Sequence, residues 1–195
     1  MVKRLPAAAI AAFVLLLASA ARAEWPHDRT GFMIGFNLGY GNAGIDVEGA
    51  DTDREGSGAG NLRLGWAVRP DLVLGLETSA WTKTYEDAIS SIDLTWTFAN
   101  ADAAITWYPA NMGLYLRAGV GIASAEVELA QDNLKVTADA AGLSLLGAIG
   151  YEFRLTRKLA LGPQFEYSFQ NLDDEDLGIK STNFFSITVG LDWYW

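Results

Sequence analysis

From Gly31 to the end of the chain, apolar and small or polar positions alternate with a period of two, the pattern of β-strands with one apolar face. In the first segment Phe32, Ile34, Phe36, Leu38 and Tyr40 share a face opposite Met33, Gly35, Asn37, Gly39 and Gly41. The second sets Leu62, Leu64, Trp66 and Val68 against Asn61, Arg63, Gly65, Ala67 and Arg69. The third sets Leu72, Leu74 and Leu76 against Val73, Gly75, Glu77 and Ser79. In the fourth, Trp96 and Phe98 fall on one parity and Ala101, Ala103, Ile105 and Trp107 on the other, which predicts a bulge or register change near Ala99. The fifth (Leu114 to Ile122), sixth (Leu143 to Phe153), seventh (Leu159 to Phe169) and eighth (Phe185 to Trp195) return to strict alternation.

The connections alternate too. Turns are short after the second, fourth and sixth segments, as at Arg69-Pro70-Asp71, where proline fixes φ and cannot donate to a ladder. Ala43 to Ser57, Lys83 to Asp93, Glu126 to Asp139 and Asn171 to Ser181 read as long loops. An even strand number with short turns at one end and long loops at the other predicts an all-β fold. The expected architecture is an eight-stranded antiparallel up-and-down transmembrane β-barrel with short periplasmic turns and long extracellular loops.

The face opposite the apolar one separates a membrane barrel from a soluble one. A barrel in water needs charged and hydroxylated side chains outside, whereas here the second face is mostly Gly, Ala, Ser and Asn. Such residues suit the narrow interior of a barrel with about eight strands. Aromatic residues flank the apolar face near the short turns (Trp66, Trp107, Tyr151, Phe153, Trp193, Trp195) and near the long loops (Phe169, Trp96, Tyr40), as expected at two membrane interfaces.

Residues 1–23 read as a signal peptide and residues 24–195 as the barrel domain. Lys3 and Arg4 precede an apolar stretch from Leu5 to Ala20, and Ala21-Arg22-Ala23 is a small-x-small cleavage site. The apolar stretch is shorter than the roughly 20 residues a spanning helix needs. The chain has no cysteine, which excludes disulfides and thiolate metal sites. Removing Lys3, Arg4 and Arg22 leaves 11 basic against 24 acidic residues, near −13, so nucleic acid is not expected as a partner. The four long connections hold sixteen of the acidic and four of the basic residues, which makes the outward end acidic. The Asp173-Asp174-Glu175-Asp176 run lacks the ligand spacing of a calcium loop and reads as a hydrated loop tip; divalent-cation binding is the alternative.

Inward parity also carries charges. Arg63, Glu77, Asp102, Arg117 and Glu166 fall near mid-height, and buried charges require partners, so a salt-bridge cluster filling the lumen is expected; a selectivity ring in a conducting pore is the alternative. No catalytic group, cofactor or metal site is expected. The one histidine, His27, lies outside every strand, and Glu166 with Ser168 on one inward face lacks the imidazole that usually activates such a nucleophile.

Two stretches resemble a known family. Trp107-Tyr108-Pro109 followed by Leu114-Tyr115-Leu116-Arg117-Ala118-Gly119-Val120-Gly121 is similar to a turn and glycine-rich fifth strand of small outer-membrane barrels of the opacity-protein and OmpX/OmpA-barrel type, often called porin-family proteins. Thr188, Gly190, Trp193 and Trp195 resemble that family's C-terminal signal for the barrel-assembly machinery, with Trp where Phe is usual at the last position. The resemblance covers the whole mature chain. It implies residence in the outer membrane of a Gram-negative bacterium, export by a cleaved signal peptide, and contact with outer-membrane lipid and lipopolysaccharide. Host or environmental surface ligands are possible partners in such a family. It does not by itself name a task. A structural or surface-interaction barrel is expected, with a narrow channel or transporter for small solutes, including apolar ones, as the alternative, and a lipid-modifying enzyme disfavoured by the histidine content.

Overall fold

The computed structural model describes residues 29–47, 50–51, 54–87, 92–109, 112–131, 134–174 and 179–195. The predicted signal segment and His27 lie outside the described residues, as do Glu175 and Asp176.

Eight long strands follow one another: β1 (Gly31–Val47), β2 (Glu55–Arg69), β3 (Leu72–Asp87), β4 (Ile92–Trp107), β5 (Leu114–Gln131), β6 (Leu134–Tyr151), β7 (Leu159–Asp174) and β8 (Ile179–Tyr194). Two further two-residue stretches, Ala50–Asp51 and Phe153–Arg154, extend the ladders of β1 and β7. Each strand pairs antiparallel with its sequence neighbours, and β8 closes on β1 from Met33 opposite Tyr194 to Val47 opposite Ile179. Closure removes the exposed edges that an open sheet would offer to other chains. The start of β1 is pinned by Gly31, whose φ of 71° is a left-handed conformation that glycine adopts without steric cost.

Burial follows residue parity and is inverted relative to a protein in water. Leu76, Ile122, Leu143 and Ile187 are each more than 60 % exposed, while Asn37, Arg63, Glu77, Asp102, Arg117, Glu166 and Asp192 are buried. A continuous band of exposed large apolar side chains around a polar interior is stable where the outer solvent is hydrocarbon. The strands of 15–18 residues are longer than the roughly 9–11 needed to cross a bilayer, so each projects beyond it.

Three expectations are corrected. First, β4 has no bulge: its registers with β3 and β5 run unbroken, Ala99 facing Ala80 and Ser124. Trp96 and Phe98 simply share the inward parity of Asn100 and Asp102, Phe98 being fully buried and Trp96 packed against its cluster, so Trp96 is not part of the lipid-facing girdle. Second, Arg69 turns outward at the β2–β3 turn, where it chelates Asp71 at 2.7 and 2.9 Å. Third, the acidic connections lie at one end as expected, but most of their residues continue the ladder; β5 and β6 pair as far as Gln131 opposite Leu134. Thr82 with Thr97 and Thr84 with Thr95 make cross-strand hydroxyl contacts of 3.2 and 3.0 Å there, a pairing that needs no apolar face.

Candidate functional site

The lumen is the candidate site, and it divides into three levels set by strand register. At the periplasmic end, Arg29 precedes β1 and turns into the barrel mouth, fully buried. Its guanidinium donates to Glu152 Oε2 at 3.1 and 3.2 Å and to the Met112 carbonyl at 2.9 Å, and lies 3.4 Å from the centre of the Tyr108 ring. The other Glu152 oxygen accepts from the hydroxyls of Tyr108 at 2.5 Å and Tyr194 at 2.7 Å. Arg154 stands 3.6 Å from the same carboxylate and 4.2 Å from the Tyr194 ring centre. Charge-assisted bonds of this kind are about twice as strong as neutral ones, so Glu152 ties four elements together across the mouth.

At mid-height the buried charges pair. Arg117 donates through Nη1 to both oxygens of Glu77 at 2.9 and 3.0 Å and to Gln164 at 3.0 Å, and through Nε to Thr106 at 3.0 Å. Arg63 donates to Asp192 at 2.6 Å rather than to a carboxylate of the predicted set. Glu166 accepts from Asn61 at 2.8 Å and Gln164 at 2.7 Å, and Asn61 accepts from Asn37 at 2.5 Å. Asp102 accepts from Asn100 and Ser144. Of the five sequence-predicted residues, the structure therefore joins Arg117 with Glu77 directly. It holds Glu166 and Asp102 through neutral donors, and it adds Asp192 as the partner of Arg63. Between Arg63 and Arg117 lies a cavity of about 10 Å³, which is at the lower limit for a single water. Arg63 Nε and Nη1 and Arg117 Nη2 have no protein acceptor.

Toward the extracellular end the lumen becomes apolar. Trp81 and Phe98 stack at 5.5 Å with 12° between their planes, and Phe184 and Leu172 pack with them among Ala43, Ala59, Ala123, Ala125 and Ala140. The small residues are what admit two large rings into a lumen this narrow. At the level of this cluster, one pair beyond Phe184 on the β7–β8 ladder, Thr182 donates to Gln170 at 2.7 Å and Gln170 to the Ala99 carbonyl at 3.0 Å.

The C-terminal residues occupy both faces. Thr188 is buried in the lumen, and Gly190 sits against the Asn37 amide so closely that no side chain fits there. Trp193 and Trp195 face outward, Trp195 meeting Phe32 edge-on at 5.1 Å and donating its backbone N–H to the Phe32 carbonyl at 3.0 Å.

Sequence reasoning missed the periplasmic knot and the aromatic cluster. Glu152 falls on the inward parity of the sixth segment, but its partner Arg29 stands before the first alternating segment and carries no periodic signal. The aromatic cluster was visible as the anomaly of Trp96 and Phe98. An inward reading needed the many alanines of neighbouring strands to be taken as space for rings.

No curated protein matches the chain. Among solved structures it is similar to Ail, the attachment invasion locus protein of Yersinia pestis, in complex with the heparin analogue sucrose octasulfate. The TM-score is 0.56 at 16 % identity, over 84 % of this chain and 100 % of that one. It is also similar to Neisserial surface protein A (NspA), with a TM-score of 0.53 at 12 % identity, over 85 % of this chain and 98 % of that one. At these identities the likeness is one of fold, that of a small outer-membrane barrel. Residues 8–193 match the outer membrane protein beta-barrel domain, and with the closed eight-stranded barrel and its inverted burial this chain belongs to that family.

Proposed function

We propose that this protein is a non-catalytic outer-membrane barrel with a filled lumen, whose task is structural or resides on its outward surface. The observation that carries the reading is the sequence of three closures along one narrow lumen: the Arg29–Glu152 knot, the Arg117–Glu77 and Arg63–Asp192 level, and the Trp81–Phe98–Phe184 cluster. Each level holds large side chains of a different chemistry inside the lumen, so opening a continuous aqueous path would take rearrangement at all three.

The export and assembly assignments belong to the same reading. Residues 1–23 serve as a cleaved signal peptide, and Thr188, Gly190, Trp193 and Trp195 serve as the assembly signal. Support for the latter is that Trp193 and Trp195 continue the lipid-facing parity of Leu191 and are accessible at the strand end. Opacity-like and porin-type labels fit the architecture without adding a task. The non-catalytic reading rests on the sequence, whose one histidine, His27, precedes the first alternating segment.

The outward end argues against one tempting transfer. Ail is complexed with a polysulfated heparin analogue, but the outward connections here hold sixteen acidic and four basic residues, and such a surface repels polyanions. If the surface binds environmental ligands, cationic or neutral ones fit it. The alternative of a narrow channel draws on one feature, the excess of carboxylates (Glu77, Asp102, Glu166, Asp192) over arginines (Arg63, Arg117) at mid-height, which would favour cations over anions.

Planar-bilayer recording distinguishes the readings. The wild-type barrel should give no resolvable unitary conductance. Steady cation-selective openings in the wild type, altered by Glu77→Gln, would establish the channel instead.

A further inference from the structure

Toward the outside the strands do not all stop at the same height. Among the described residues, the β2–β3 ladder ends at Gly58 opposite Thr82 and the β6–β7 ladder at Leu143 opposite Asn171. The ladders joining β3 to β6 run on, to Asp87 opposite Ile92 and Gln131 opposite Leu134. These four strands therefore project together as a blade. Its outer face turns polar, with Thr82, Thr97, Glu126 and Asp139 in one cross-strand row and Thr84, Thr95, Glu128 and Thr137 in the next. Those rows mark where the outer face leaves hydrocarbon and enters water.

The inner face stays apolar over the same height. Above the row of Trp81, Phe98, Ala125 and Ala140, register sets Lys83, Trp96, Val127 and Ala138 side by side, and above them Tyr85, Leu94, Leu129 and Val136. In the outermost row Tyr85, Leu129 and Val136 are 39, 46 and 53 % exposed. Leu94, Trp96 and Val127 are half-buried. With strands about 4.8 Å apart, the blade is roughly 14 Å wide, and two rows cover about 7 Å of its height, room for one small ring system. A contiguous apolar patch held in water marks an interaction site. This one lies on the concave side of the wall above an aromatic floor, where a small molecule reaches it more readily than a folded protein.

Charge selects among small molecules. The outward connections hold sixteen acidic and four basic residues, and Glu126 and Asp139 are exposed on the back of the blade. Lys83, the basic residue of the inner rows, is already engaged. Its Nζ donates to the Gly56 carbonyl at 3.1 Å, lies 3.6 Å from Glu55 and stands 5.4 Å from the Tyr85 ring centre. A mouth of this sign raises the local concentration of cations, and aromatic side chains add attraction for a cation with little hydration.

We propose that the inner face of the blade binds a small organic cation with an apolar body, of the aromatic quaternary-amine class, from outside the cell. The apolar body lies on Leu94, Leu129 and Val136, and the acidic mouth selects the charge. The assignment rests on the reading that the task resides on the outward surface, and it names the class of ligand that this surface takes.

Ligand-observed saturation-transfer NMR on the full barrel in phosphatidylcholine nanodiscs tests this, with empty discs subtracted. The probes share one ring and differ in charge: benzyltrimethylammonium, benzyl alcohol and benzenesulfonate. The wild type should bind the cation about tenfold or more tighter than the other two, the scale of a mouth potential of a few kT. Leu129→Ser with Val136→Ser, both at exposed positions, should weaken the cation by about tenfold, the scale of losing contact with two apolar side chains. Raising the ionic strength from about 0.01 to about 1 M shortens the screening length from about 30 to about 3 Å and should remove the preference for the cation. Val120→Leu, on the lipid face, should change nothing, and heat-modifiable gel migration confirms that each variant is folded. Equal binding of the three probes overturns the selection by charge, and binding unchanged in the double variant overturns the site. A dimer on native gels that the double variant disrupts assigns the face to a second copy and overturns the proposal. Bilayer recording keeps the two readings apart. A wild type that conducts yet binds the cation refutes the filled lumen and leaves this site standing, whereas a silent wild type that binds none of the probes refutes the site alone.

Discussion

The Arg117–Glu77 pair offers the sharpest test of a dry, filled lumen. Both side chains are about 1 % exposed, and Arg117 is held by Glu77, Gln164 and Thr106 together. Replacing Glu77 by Leu leaves the Arg117 charge with only the neutral oxygens of Gln164 and Thr106. Breaking a buried pair by removing one partner costs about 3–5 kcal/mol because a charge is left uncompensated in low dielectric. Arg117→Met should cost less, near the lower bound, because Glu77 still lies directly opposite Arg63 in the β2–β3 register. The double variant, with neither charge, should recover most of the loss. Desolvating both ions opposes their attraction, and apolar replacement of a whole pair is often neutral.

The assay is urea unfolding of the barrel in phospholipid vesicles, followed by tryptophan fluorescence and by gel migration. An expected 3–5 kcal/mol for Glu77→Leu corresponds to a change of roughly 140- to 3700-fold in the unfolding constant, at about 1.4 kcal/mol per tenfold. The cycle should return a coupling energy of about 4–7 kcal/mol, the two single costs less the small cost left in the double variant. A cost below about 1 kcal/mol for Glu77→Leu, or no coupling, would mean that water screens the pair, and the reasoning for a closed lumen would then fail.

Other outcomes follow from the same structure. Phe98→Ala should destabilise by about 3–5 kcal/mol in the same urea assay, since it removes a fully buried ring from the Trp81 stack; a cost near zero would place that ring in water. Val120→Arg, on the lipid face near mid-height, should cost about 2–4 kcal/mol in vesicles, whereas Val120→Leu should be nearly neutral. Gly75→Ala should also destabilise, but through the wall, because its Cβ would strike the Leu64 carbonyl and Gly65 Cα of β2; insensitivity to lipid thickness would separate it from the arginine variant. Deleting Trp195 should slow folding by the assembly machinery reconstituted in proteoliposomes, and an unchanged rate would remove Trp195 from the signal.

Strand parity was legible in sequence because two opposed solvents enforce it. Leu62, Leu64, Trp66 and Val68 must meet hydrocarbon, and Asn61 and Arg63 must meet other polar groups, so a one-residue slip would misplace every side chain. The rule failed where that opposition lapses. In the outer third of the lumen the interior is itself apolar, so Trp96 and Phe98 on the inward face looked like a change of register. Beyond the bilayer both faces meet water, so Glu126, Glu128 and Asp139 looked like loop residues although they are strand residues. Partner choice was less legible still. The alternation placed Asp192 inward and Arg63 inward, but their meeting depends on how β8, β1 and β2 are staggered around the closed barrel, a quantity that no local pattern encodes.

That stagger also explains why the interior can be charged without being a passage. Had Arg63, Glu77, Asp102, Arg117 and Glu166 formed a ring of one sign, mutual repulsion would have held side chains against the wall and left water on the axis. Instead Arg63 bridges over Gly35 of β1 to Asp192 on β8, Arg117 on β5 bridges β4 to Glu77 on β3, and Asn61 on β2 reaches Glu166 on β7, so opposite charges and amides meet over the lumen instead of lining it with one sign. Uncharged amides at Asn37, Asn61 and Gln164 fill the remaining angles, each bonded to a neighbour. A lumen committed in this way to holding the wall together leaves the outside of the barrel to carry specificity. The outside is divided between an acidic rim formed by the projecting hairpins and a lipid-facing belt of large apolar side chains.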